Sequence, residues 1–552
     1  MLNYQKTVQE FDLEGIAHRL LSGSIDALNA CYECCDRYAD TERVALFYYG
    51  QEGRKKQYSF KALKKYSSQF ANFLKSQGIT QGDRISGLLP RTPELIIMIL
   101  AAWRIGAVYQ PLFTAFGPKA IEHRIKMADS KLVVTDLTNR EKLIDIAECP
   151  AIVTVHAEQQ SNLYPDDLSF WSVLNDQAES CEVALLNIDD PFLLMFTSGT
   201  TGPAKPLYVP LKALIAFGSY MQHAIGLTEE DAFWNIADPG WAYGLYYGIT
   251  GPLLLGHSTL FYEGGFNPES VCQMVKEYGI TNLAGAPTAY RMMMAADPLQ
   301  MAQLRGKFRV VSSAGEPLNP EVIRWFEQVL DAPIYDHYGQ TEVGMVVCNH
   351  HALEHTVRSG SAGFASPGYK VVVLDEQGHE LPVDTAGILA IDLEQSPMMW
   401  FGGYEQSGKS PFLGHYYLTG DTAEIHADGS MSFVGRSDDV ITTSGYRVGP
   451  FDVESALLEH DAVIEAAVIG VPDPERTEVI KAFVILAHNV KASAHLEDEL
   501  SQFVKKRLSA HAYPRQVEFV PELPKTPSGK IQRFLLRNQE INKQQALTHH
   551  PS

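Results

Sequence analysis

The chain has 552 residues, of which 45% are hydrophobic and 20% charged, which is typical of a globular protein with more than one domain core. Its 66 acidic and 45 basic residues leave a formal charge of −21, which argues against sequence-independent binding to nucleic acid or to an anionic membrane. The N-terminus lacks the pattern of a signal peptide, and the apolar run at residues 95–103 is too short to span a bilayer. We therefore expect a cytoplasmic protein without an integral membrane segment.

The first 190 residues predict a layered α/β fold. Residues 1–50 favour helix, and a helix that opens at Ser59 closes at Gly78. Apolar strands at 85–89 and 106–112 flank a buried helix that ends at Trp103. This order predicts right-handed βαβ units on a largely parallel sheet.

A cysteine cluster near the N-terminus has two interpretations. Cys31, Cys34 and Cys35 could bind a metal ion, but no second Cys or His pair stands at zinc spacing. We favour reduced thiols in a core.

A glycine- and hydroxyl-rich segment at residues 197–205, here called the phosphate loop, follows an apolar strand at 191–196. Its glycines permit tight turns beside a ligand, and its N–H and O–H groups can donate to phosphate oxygens with Lys205 as counter-charge. A polar surface turn is the simpler alternative. A Walker loop is excluded by the spacing, because only Thr200 and Thr201 separate Gly199 from Gly202, and Pro206 follows the lysine.

Further ligand-type segments follow along the chain. Trp241, Tyr243 and the aromatic residues after them could line a pocket or simply fill a core. The strand at 310–311 runs into small residues that end at Pro317, and such strand ends border the ligand crevice of open α/β sheets. Residues 334–342 then combine an aromatic ring that could stack on a base with Glu342, which could hold Mg²⁺, although a solvated loop is also possible. The histidines at 350, 351 and 355 are interpreted as loop residues rather than metal ligands.

The secondary-structure pattern of the sequence changes twice in the last third of the chain. From Tyr369 onward, short alternating strands predict a small antiparallel or barrel-like subdomain, and Asp421 near its end could accept hydrogen bonds from ribose hydroxyls. Residues 435–439 form a polar boundary, after which a second αβ pattern begins. We predict an N-terminal domain at 1–435, a hinge at 436–439 and a mobile α+β domain at 440–552. A proline-bounded turn near the end carries Lys530.

These motifs occur together in the order of the adenylate-forming (AMP-binding) enzymes, and the chain resembles that superfamily from about residue 30 to 540. It is most similar to the acetyl- and medium-chain acyl-CoA synthetases, on residues 115–121, 446–450 and 513–515. The chain departs from the pattern in two segments. The phosphate loop ends Ala204-Lys205-Pro206 in place of Pro-Lys-Gly, and Pro210 stands where a histidine is common.

The resemblance implies ATP-dependent activation of a carboxylic acid, with a medium-chain fatty or aromatic acid expected. The acid attacks the α-phosphate of Mg-ATP to give acyl-AMP and pyrophosphate, and coenzyme A then displaces AMP. By this match Thr341 touches the α-phosphate, Glu342 holds Mg²⁺, and Lys530 bridges the carboxylate and the α-phosphate. The remaining ATP- and AMP-binding residues implied are Thr197, Ser198, Gly199, Thr200, Thr201, Gly202, Lys205, Gly315, Glu316, Pro317, Asp336, His337, Tyr338, Gly339, Gln340, Asp421, Arg436 and Arg447.

The resemblance also implies a small C-terminal domain that swings about Asp438 between the two steps. CoA contacts are expected from Ser444, Gly445, Tyr446 and Lys505, and a structural cation at His460. In acetyl-CoA synthetases a tryptophan precedes Gln-Thr-Glu and closes the acyl pocket. Gly339 stands there in this chain, so we expect an open pocket that Trp241 and Tyr243 border.

Three functions remain open at this stage. The first is an acyl-CoA synthetase, which the subgroup motifs favour, with a short-chain acetate or propionate ligase as a variant of it. The second is an enzyme that loads a separate acyl or peptidyl carrier protein. The third is a nucleotide-binding protein without catalysis, which the joint presence of Lys205, Glu342, Asp421 and Lys530 disfavours. The sequence leaves a monomer or a homodimer open.

Overall fold

A computed structural model describes residues 2–156, 164–197, 204–405, 410–443, 446–473, 476–488, 490–508, 512–526 and 530–548 of the chain. The predicted α/β class is confirmed, because its two largest sheets are mainly parallel and helices pack on them.

The first sheet carries the βαβ units of the N-terminal region. Neighbouring strands pair in parallel except at one edge, where Lys205–Pro210 is antiparallel to Pro191–Thr197. The strands lie in the order Lys205–Pro210, Pro191–Thr197, Val108–Pro111, Arg84–Leu88, Ser130–Asp136, Ala151–Val155 and Leu168–Ser169. The helices of this region are Phe60–Ser76, Pro93–Arg104, Pro118–Ala128, Leu137–Arg140, Phe170–Asn175 and Ala213–His223.

Two sequence predictions in this region are confirmed. Ser59 caps the helix Phe60–Ser76 by accepting from the Ala62 N–H, as its place before an apolar-periodic segment predicts. The helix Pro93–Arg104 is apolar on all sides and is buried over nearly its whole length, so it is a core helix. Within the described residues, no helix combines the length and the apolar character needed to cross a bilayer.

The second sheet supplies most of the candidate site. Its first four strands are parallel and its last two antiparallel. They run in the order Phe233–Asn235, Asn282–Gly285, Val310–Ala314, Ile334–Gln340, Gly344–Cys348 and Phe364–Ala365. The accompanying helices are Ala242–Leu245, Gly251–Leu254, Pro268–Tyr278, Pro287–Met294, Pro298–Met301 and Pro320–Trp325, with π-helical turns at Tyr246–Thr250 and Phe326–Leu330.

The N-terminal segment is only partly helical, which corrects the expectation for residues 1–50. Helices Tyr4–Gln9, Leu13–Leu20 and Ala30–Cys34 are followed by the strand Val44–Tyr49, which pairs with Lys55–Ser59 and Thr259–Tyr262. A short strand, Leu2–Asn3, pairs with Leu353–Glu354. Cys31, Cys34 and Cys35 are free and buried, and burial raises the pKa of each thiol, as expected of reduced core cysteines.

The predicted small subdomain is an antiparallel sheet. Its strands are Val371–Leu374, Gly387–Asp392, Tyr416–Ile425 and Phe412–Leu413, and Met431–Arg436 pairs with Tyr416–Ile425. This last hairpin leads the chain to the C-terminal region.

The C-terminal region is a small α+β unit with its own apolar clusters. Its sheet contains Tyr446–Val448, Ile441–Thr443, Thr477–Leu486, Val463–Asp473 and Gln516–Phe519, and its helices are Pro450–Leu458, Ala494–Arg507 and Arg533–Thr548. It contacts the preceding region through polar pairs, among them Asn319 Nδ2 donating to Ser455 Oγ at 2.9 Å and Arg324 with Glu459 at 3.7 Å.

Candidate active site

The phosphate loop connects two paired strands. Thr197 lies opposite Lys205 in the antiparallel pair formed by Pro191–Thr197 and Lys205–Pro210, so both ends of the loop are held side by side. The apolar residues of these strands are buried and anchor the hairpin. The predicted donors Ser198, Gly199, Thr200, Thr201 and Gly202 lie outside the described residues.

The tertiary structure brings Lys205 towards Glu342 through a residue that the sequence analysis missed. Lys205 Nζ lies 5.2 Å from the centroid of the Tyr404 ring, and the Tyr404 hydroxyl donates to Glu342 Oε1 at 2.6 Å. Glu342 is 8% exposed, and burial raises the pKa of its carboxyl while the Tyr404 hydrogen bond lowers it. Tyr404 follows Phe401 and two glycines, a segment without a motif that could have identified it.

A hydrogen-bonded group surrounds the predicted ribose-binding carboxylate. Asp421 Oδ2 accepts from the Tyr338 hydroxyl at 2.6 Å and from Gln340 Nε2 at 2.8 Å, and Arg436 Nη1 donates to Asp421 Oδ1 at 3.0 Å. Burial raises the pKa of Asp421, and Arg436 opposes that shift. A carboxylate has about four lone-pair sites, so a ribose hydroxyl could still bind.

The segment predicted to frame adenine lies at the ends of neighbouring parallel strands. Gly315 follows the strand Val310–Ala314, has φ +96°, and has open space where a side chain would begin. Glu316 is turned towards Arg291, with a contact of 2.9 Å, and towards the Thr288 hydroxyl. Its carboxylate is therefore engaged within the protein, which leaves backbone groups to face a base.

Asp336 and His337 point to opposite faces of one strand. Asp336 Oδ2 accepts from the Leu318 N–H at 3.2 Å, Oδ1 has no partner among the described residues, and burial raises the pKa of the carboxyl to about 8. His337 instead lies in the core. Its Nδ1 accepts from the Tyr220 hydroxyl at 2.7 Å and its Nε2–H donates to the Asn349 carbonyl at 3.0 Å. The His337 side chain therefore faces away from the predicted nucleotide site, and a nucleotide contact through the His337 backbone stays a prediction.

The open space that we expected beside Gly339 is not present in the structure. Gly339 pairs with Met345 in an antiparallel register with a bulge, and a Cβ at Gly339 would lie 2.1 Å from the Gly344 carbonyl oxygen. The backbone of the adjacent strand fills the direction in which a side chain would point. Gly339 thus permits a close approach of two strands, and it leaves no open space in the direction of a side chain.

The other two predicted pocket residues occupy the start of the short helix Ala242–Leu245. The Trp241 ring packs on Phe113 and Phe116 with centroid distances of 5.4 and 5.5 Å, and its buried Nε1 has no partner within the described part of the chain. Tyr243 points elsewhere, with its hydroxyl 3.2 Å from that of Tyr220. The two side chains therefore lie in different surroundings, one apolar and one polar.

The predicted C-terminal residues lie on the small α+β unit. Lys530 is exposed and its N–H donates to Thr526 Oγ1 at 3.0 Å. Asp438 lies between the last strand of the antiparallel sheet and the C-terminal sheet, with Arg537 donating to its carbonyl at 3.2 Å. Ser444 and Gly445 lie outside the described residues. Tyr446 and Arg447 are described only as part of the strand Tyr446–Val448.

Lys505 lies on the helix Ala494–Arg507, and His460, which follows the helix Pro450–Leu458, packs against it. The Lys505 ammonium is 5.2 Å from the centroid of the Tyr513 ring on an exposed face. His460 Nδ1 accepts a hydrogen bond from the Ala462 N–H, and His460 Nε2 lies 3.4 Å from Glu499 Oε1. Both ring nitrogens of His460 thus have partners, and cation binding there stays a prediction.

The three histidines interpreted as loop residues do lie outside helices and strands, but His350 and His351 are buried rather than solvated. His351 stacks on Tyr335 at 4.2 Å and donates from Nε2 to the Val311 carbonyl. His350 is 2% exposed, and neither of its ring nitrogens has a partner among the described residues. Burial lowers the pKa of both rings well below the usual range, so they are neutral core residues.

The donor set around Glu342 fits a hard divalent cation. The carboxylate is buried, it has no ion-pair partner within the described residues, and burial raises its pKa, so a nearby cation would stabilise its charged form. Mg²⁺ prefers oxygen ligands and binds through one or two carboxylates together with phosphates.

Comparisons with known proteins agree along nearly the whole chain. Family models described as AMP-binding enzyme and AMP-binding enzyme C-terminal domain match residues 33–399 and 452–530. An acetyl-coenzyme A synthetase of Bacillus subtilis is 38% identical, over 98% of this chain and 95% of its own length. The human mitochondrial acyl-coenzyme A synthetase ACSM4 is 36% identical, over 93% of this chain and 90% of its own.

Two solved structures extend the similarity. An acyl-CoA synthetase of Brucella canis is 56% identical with a TM-score of 0.80, covering 99% of this chain and 100% of that one. The anthranilate CoA ligase AuaEII, solved with anthranoyl-AMP, is 26% identical with a TM-score of 0.85, covering 94% and 98%.

Proposed function

We propose a specific division of labour for this chain, which belongs to the AMP-binding enzyme family. The chain is an ATP-dependent acid–thiol ligase that forms acyl-CoA through acyl-AMP, and it uses ATP, Mg²⁺ and coenzyme A. The contact that carries the proposal is the arrangement of Lys205, Tyr404 and Glu342, because it joins the phosphate loop to the metal-binding carboxylate.

In this proposal the nucleotide is held by residues of the second sheet together with Asp421 and Arg436 of the small antiparallel sheet. Tyr338 and Gln340 fix the Asp421 carboxylate, and Arg436 balances its charge, so the ribose meets an immobile acceptor. Gly315 leaves open space at the adenine position, and Asp336 Oδ1, which has no hydrogen-bond partner in the described part of the chain, offers a polar edge to the base.

The adenylation step depends on fixed charges where negative charge develops. Glu342 would hold Mg²⁺, which neutralises phosphate charge when bound. Lys205 and the donors of the phosphate loop would hold the β- and γ-phosphates, and Thr341 the α-phosphate. Such preorganised groups stabilise the transition state without reorganising during the reaction. Lys530 would approach the carboxylate and α-phosphate from the C-terminal unit.

The thioester step requires a second orientation of the C-terminal unit. We infer that the unit turns at Asp438, which lies between two sheets that have separate cores. The turn at Ser444 and Gly445, with Tyr446, Arg447 and Lys505, would then face the nucleotide and CoA. Monomer and homodimer are both compatible with this proposal.

For the acid, we propose a medium-chain or aromatic tail that lies against Trp241 and Tyr243. The Trp241–Phe113–Phe116 cluster supplies an aromatic wall, and apolar contact adds about 0.8 kcal/mol for each buried methylene. The similarity to an anthranilate CoA ligase and to a benzoate CoA ligase of Burkholderia xenovorans, the latter 28% identical with a TM-score of 0.80, supports an aromatic acid as one candidate substrate.

The test is a pyrophosphate-exchange assay with acids of two to twelve carbons and benzoate, followed by thioester formation with CoA. We expect exchange to depend on the acid, CoA to accept the acyl group, and kcat/KM to rise with chain length. Trp241→Ala should flatten that rise, whereas Trp325→Ala, on a helix of the second sheet, should leave it unchanged. A preference for acetate would contradict the proposed acid, and exchange without any thioester would contradict the ligase assignment.

A further inference from the structure

Three metal-ligating side chains converge on the antiparallel sheet at a distance from the nucleotide residues. His426 Nδ1 lies 3.0 Å from Asp384 Oδ1 and 3.7 Å from Glu424 Oε1, and the ligand atoms of all three lie within 4.8 Å of one another. Glu424 is three residues beyond Asp421 on the same strand, which is about 10 Å along it. This group is therefore separate from the carboxylate that serves the ribose.

We propose that Asp384, Glu424 and His426 bind a divalent transition-metal ion of the zinc class. The site is independent of the ligase reaction, since among the described residues none of the three has a hydrogen bond or ion pair with a residue assigned to ATP, the acid or CoA. The ion would be structural, joining the turn that carries Asp384 to the hairpin that carries the other two ligands.

The spacing of the ligand atoms suits a tetrahedral ion. With metal–ligand distances of about 2.1 Å, neighbouring ligand atoms of a tetrahedron are about 3.4 Å apart. The two measured separations from His426 Nδ1, 3.0 and 3.7 Å, lie on either side of that value. Small side-chain rotations would thus suffice, and a water molecule could take the fourth position.

The imidazole is already oriented for this role. Ser432 Oγ lies 2.8 Å from His426 Nε2, and Ser432 pairs with Glu424 across the hairpin. Nδ1 is consequently aimed at the two carboxylates, which is how a partner at the other ring nitrogen directs a metal-bound histidine. The backbone supports the same geometry, because the Asp384 N–H donates to the Ile425 carbonyl at 2.8 Å.

Charge and exposure also favour a transition metal. Two carboxylates and one neutral imidazole compensate a dication, and the nitrogen ligand favours zinc, cobalt or nickel over Mg²⁺, which prefers oxygen. The Asp384 side chain is 58% exposed and that of His426 only 11%, so the ion could enter from solvent yet bind a shielded ring. The alternative is an ordinary ion pair between a protonated His426 and the carboxylates.

The chain contains a matched control for that alternative. His379 Nδ1 lies 3.1 Å from Asp375 Oδ2 with 79% of its side chain exposed, and among the described residues no second carboxylate completes a three-ligand group there. If His426 only formed an ion pair with a carboxylate, the His426 and His379 sites should respond alike to added metal. If His426 belongs to a metal site, the two should respond differently.

The experiment titrates the untagged, chelator-treated full chain with Zn²⁺ in excess Mg²⁺ by calorimetry, and with Co²⁺ by visible absorption. We expect His426→Ala to lose one equivalent of bound Zn²⁺. Asp384→Asn should weaken Zn²⁺ binding at least tenfold, and His379→Ala should bind Zn²⁺ as the wild type does. Zn²⁺ should raise the melting temperature of the wild type but not of His426→Ala. Asp384 lies in an exposed turn, so Asp384→Asn keeps the test valid if His426→Ala does not fold. Equal zinc stoichiometry in all variants would overturn the proposal.

Discussion

The Tyr404 hydroxyl donates a hydrogen bond of 2.6 Å to Glu342, and the ring of the same tyrosine lies 5.2 Å from the Lys205 ammonium. One side chain thus contacts both charged groups that the phosphates of ATP would meet. A hydrogen bond to a carboxylate favours its charged form, so Tyr404 favours the ionised Glu342 that our proposal requires for a metal ligand.

Tyr404→Phe should therefore slow adenylation. Removing the hydrogen bond raises the pKa of Glu342, so the acid limb of the pH–rate profile should move to higher pH. We expect kcat/KM for ATP to fall roughly tenfold, since a hydrogen bond to a charged group contributes about 1.5 kcal/mol. Tyr416→Phe is the control, because Tyr416 donates to Glu380 on an exposed face of the small sheet. An unshifted acid limb in Tyr404→Phe would show that Glu342 does not depend on this contact.

Lys530→Ala should impair one half-reaction. Lys530 lies on an exposed turn of the C-terminal unit, so its charge acts only when that turn meets the substrates. Acyl-AMP formation should fall about a thousandfold, within the range for loss of one stabilising donor. Thioester formation from supplied acyl-AMP should survive. Lys525→Ala, which removes a nearby ammonium paired with Glu465, should affect neither step strongly, and equal loss of both steps in Lys530→Ala would contradict the assignment.

Asp438→Pro should trap one orientation of the C-terminal unit. Proline fixes φ near −65°, which restricts a residue that must change its backbone angles. Rapid-quench kinetics should show acyl-AMP that is formed but consumed slowly. Asp438→Ala removes the same carboxylate while leaving the backbone free, and it should turn over nearly as fast as the wild type. If Asp438→Pro also turns over nearly as fast as the wild type, the hinge lies elsewhere.

Gly339→Ala should destabilise the protein without changing its substrate profile. The added methyl group would meet the Gly344 carbonyl at 2.1 Å, so the strands must move apart at a cost of about 1–3 kcal/mol. Denaturant unfolding measures that loss, and Gly265→Ala, where nothing lies within 4 Å of the new methyl, is the control. A shifted chain-length profile in a stable Gly339→Ala would restore Gly339 as a pocket residue.

The buried histidines should make the fold sensitive to acid. Burial lowers the pKa of His223 to about 4 and that of His337 to about 3, below the ordinary value of 6.5. Because the unfolded chain binds protons first, the stabilisation is complete above about pH 6.5 and is lost as the pH falls towards 4. The free energy of unfolding, measured from pH 8 to 5, should decline less steeply in His223→Gln. The exposed His379→Gln should keep the wild-type slope, and identical slopes in all three proteins would refute this origin of acid sensitivity.

Local sequence patterns by themselves determined the fold class and the family motifs of this protein. The apolar strand before the phosphate loop, the order of strand and helix, and the motifs ending in Glu342 and Asp421 are features of contiguous residues. Such features are governed by backbone propensity and short-range spacing, so the fold class and the family motifs could be read from the chain.

Tertiary packing decided the rest. Tyr404 reaches Glu342 over a sequence separation of 62 residues, and no local pattern specifies that contact. The alternation of side chains along Ile334–Gln340 sends His337 into the core, and strand register places the Gly344 carbonyl against Gly339. His426 likewise meets Asp384 only because distant turns adjoin. Which face a side chain occupies depends on the register and packing of its neighbours, and that information is distributed over the whole chain rather than held in one segment.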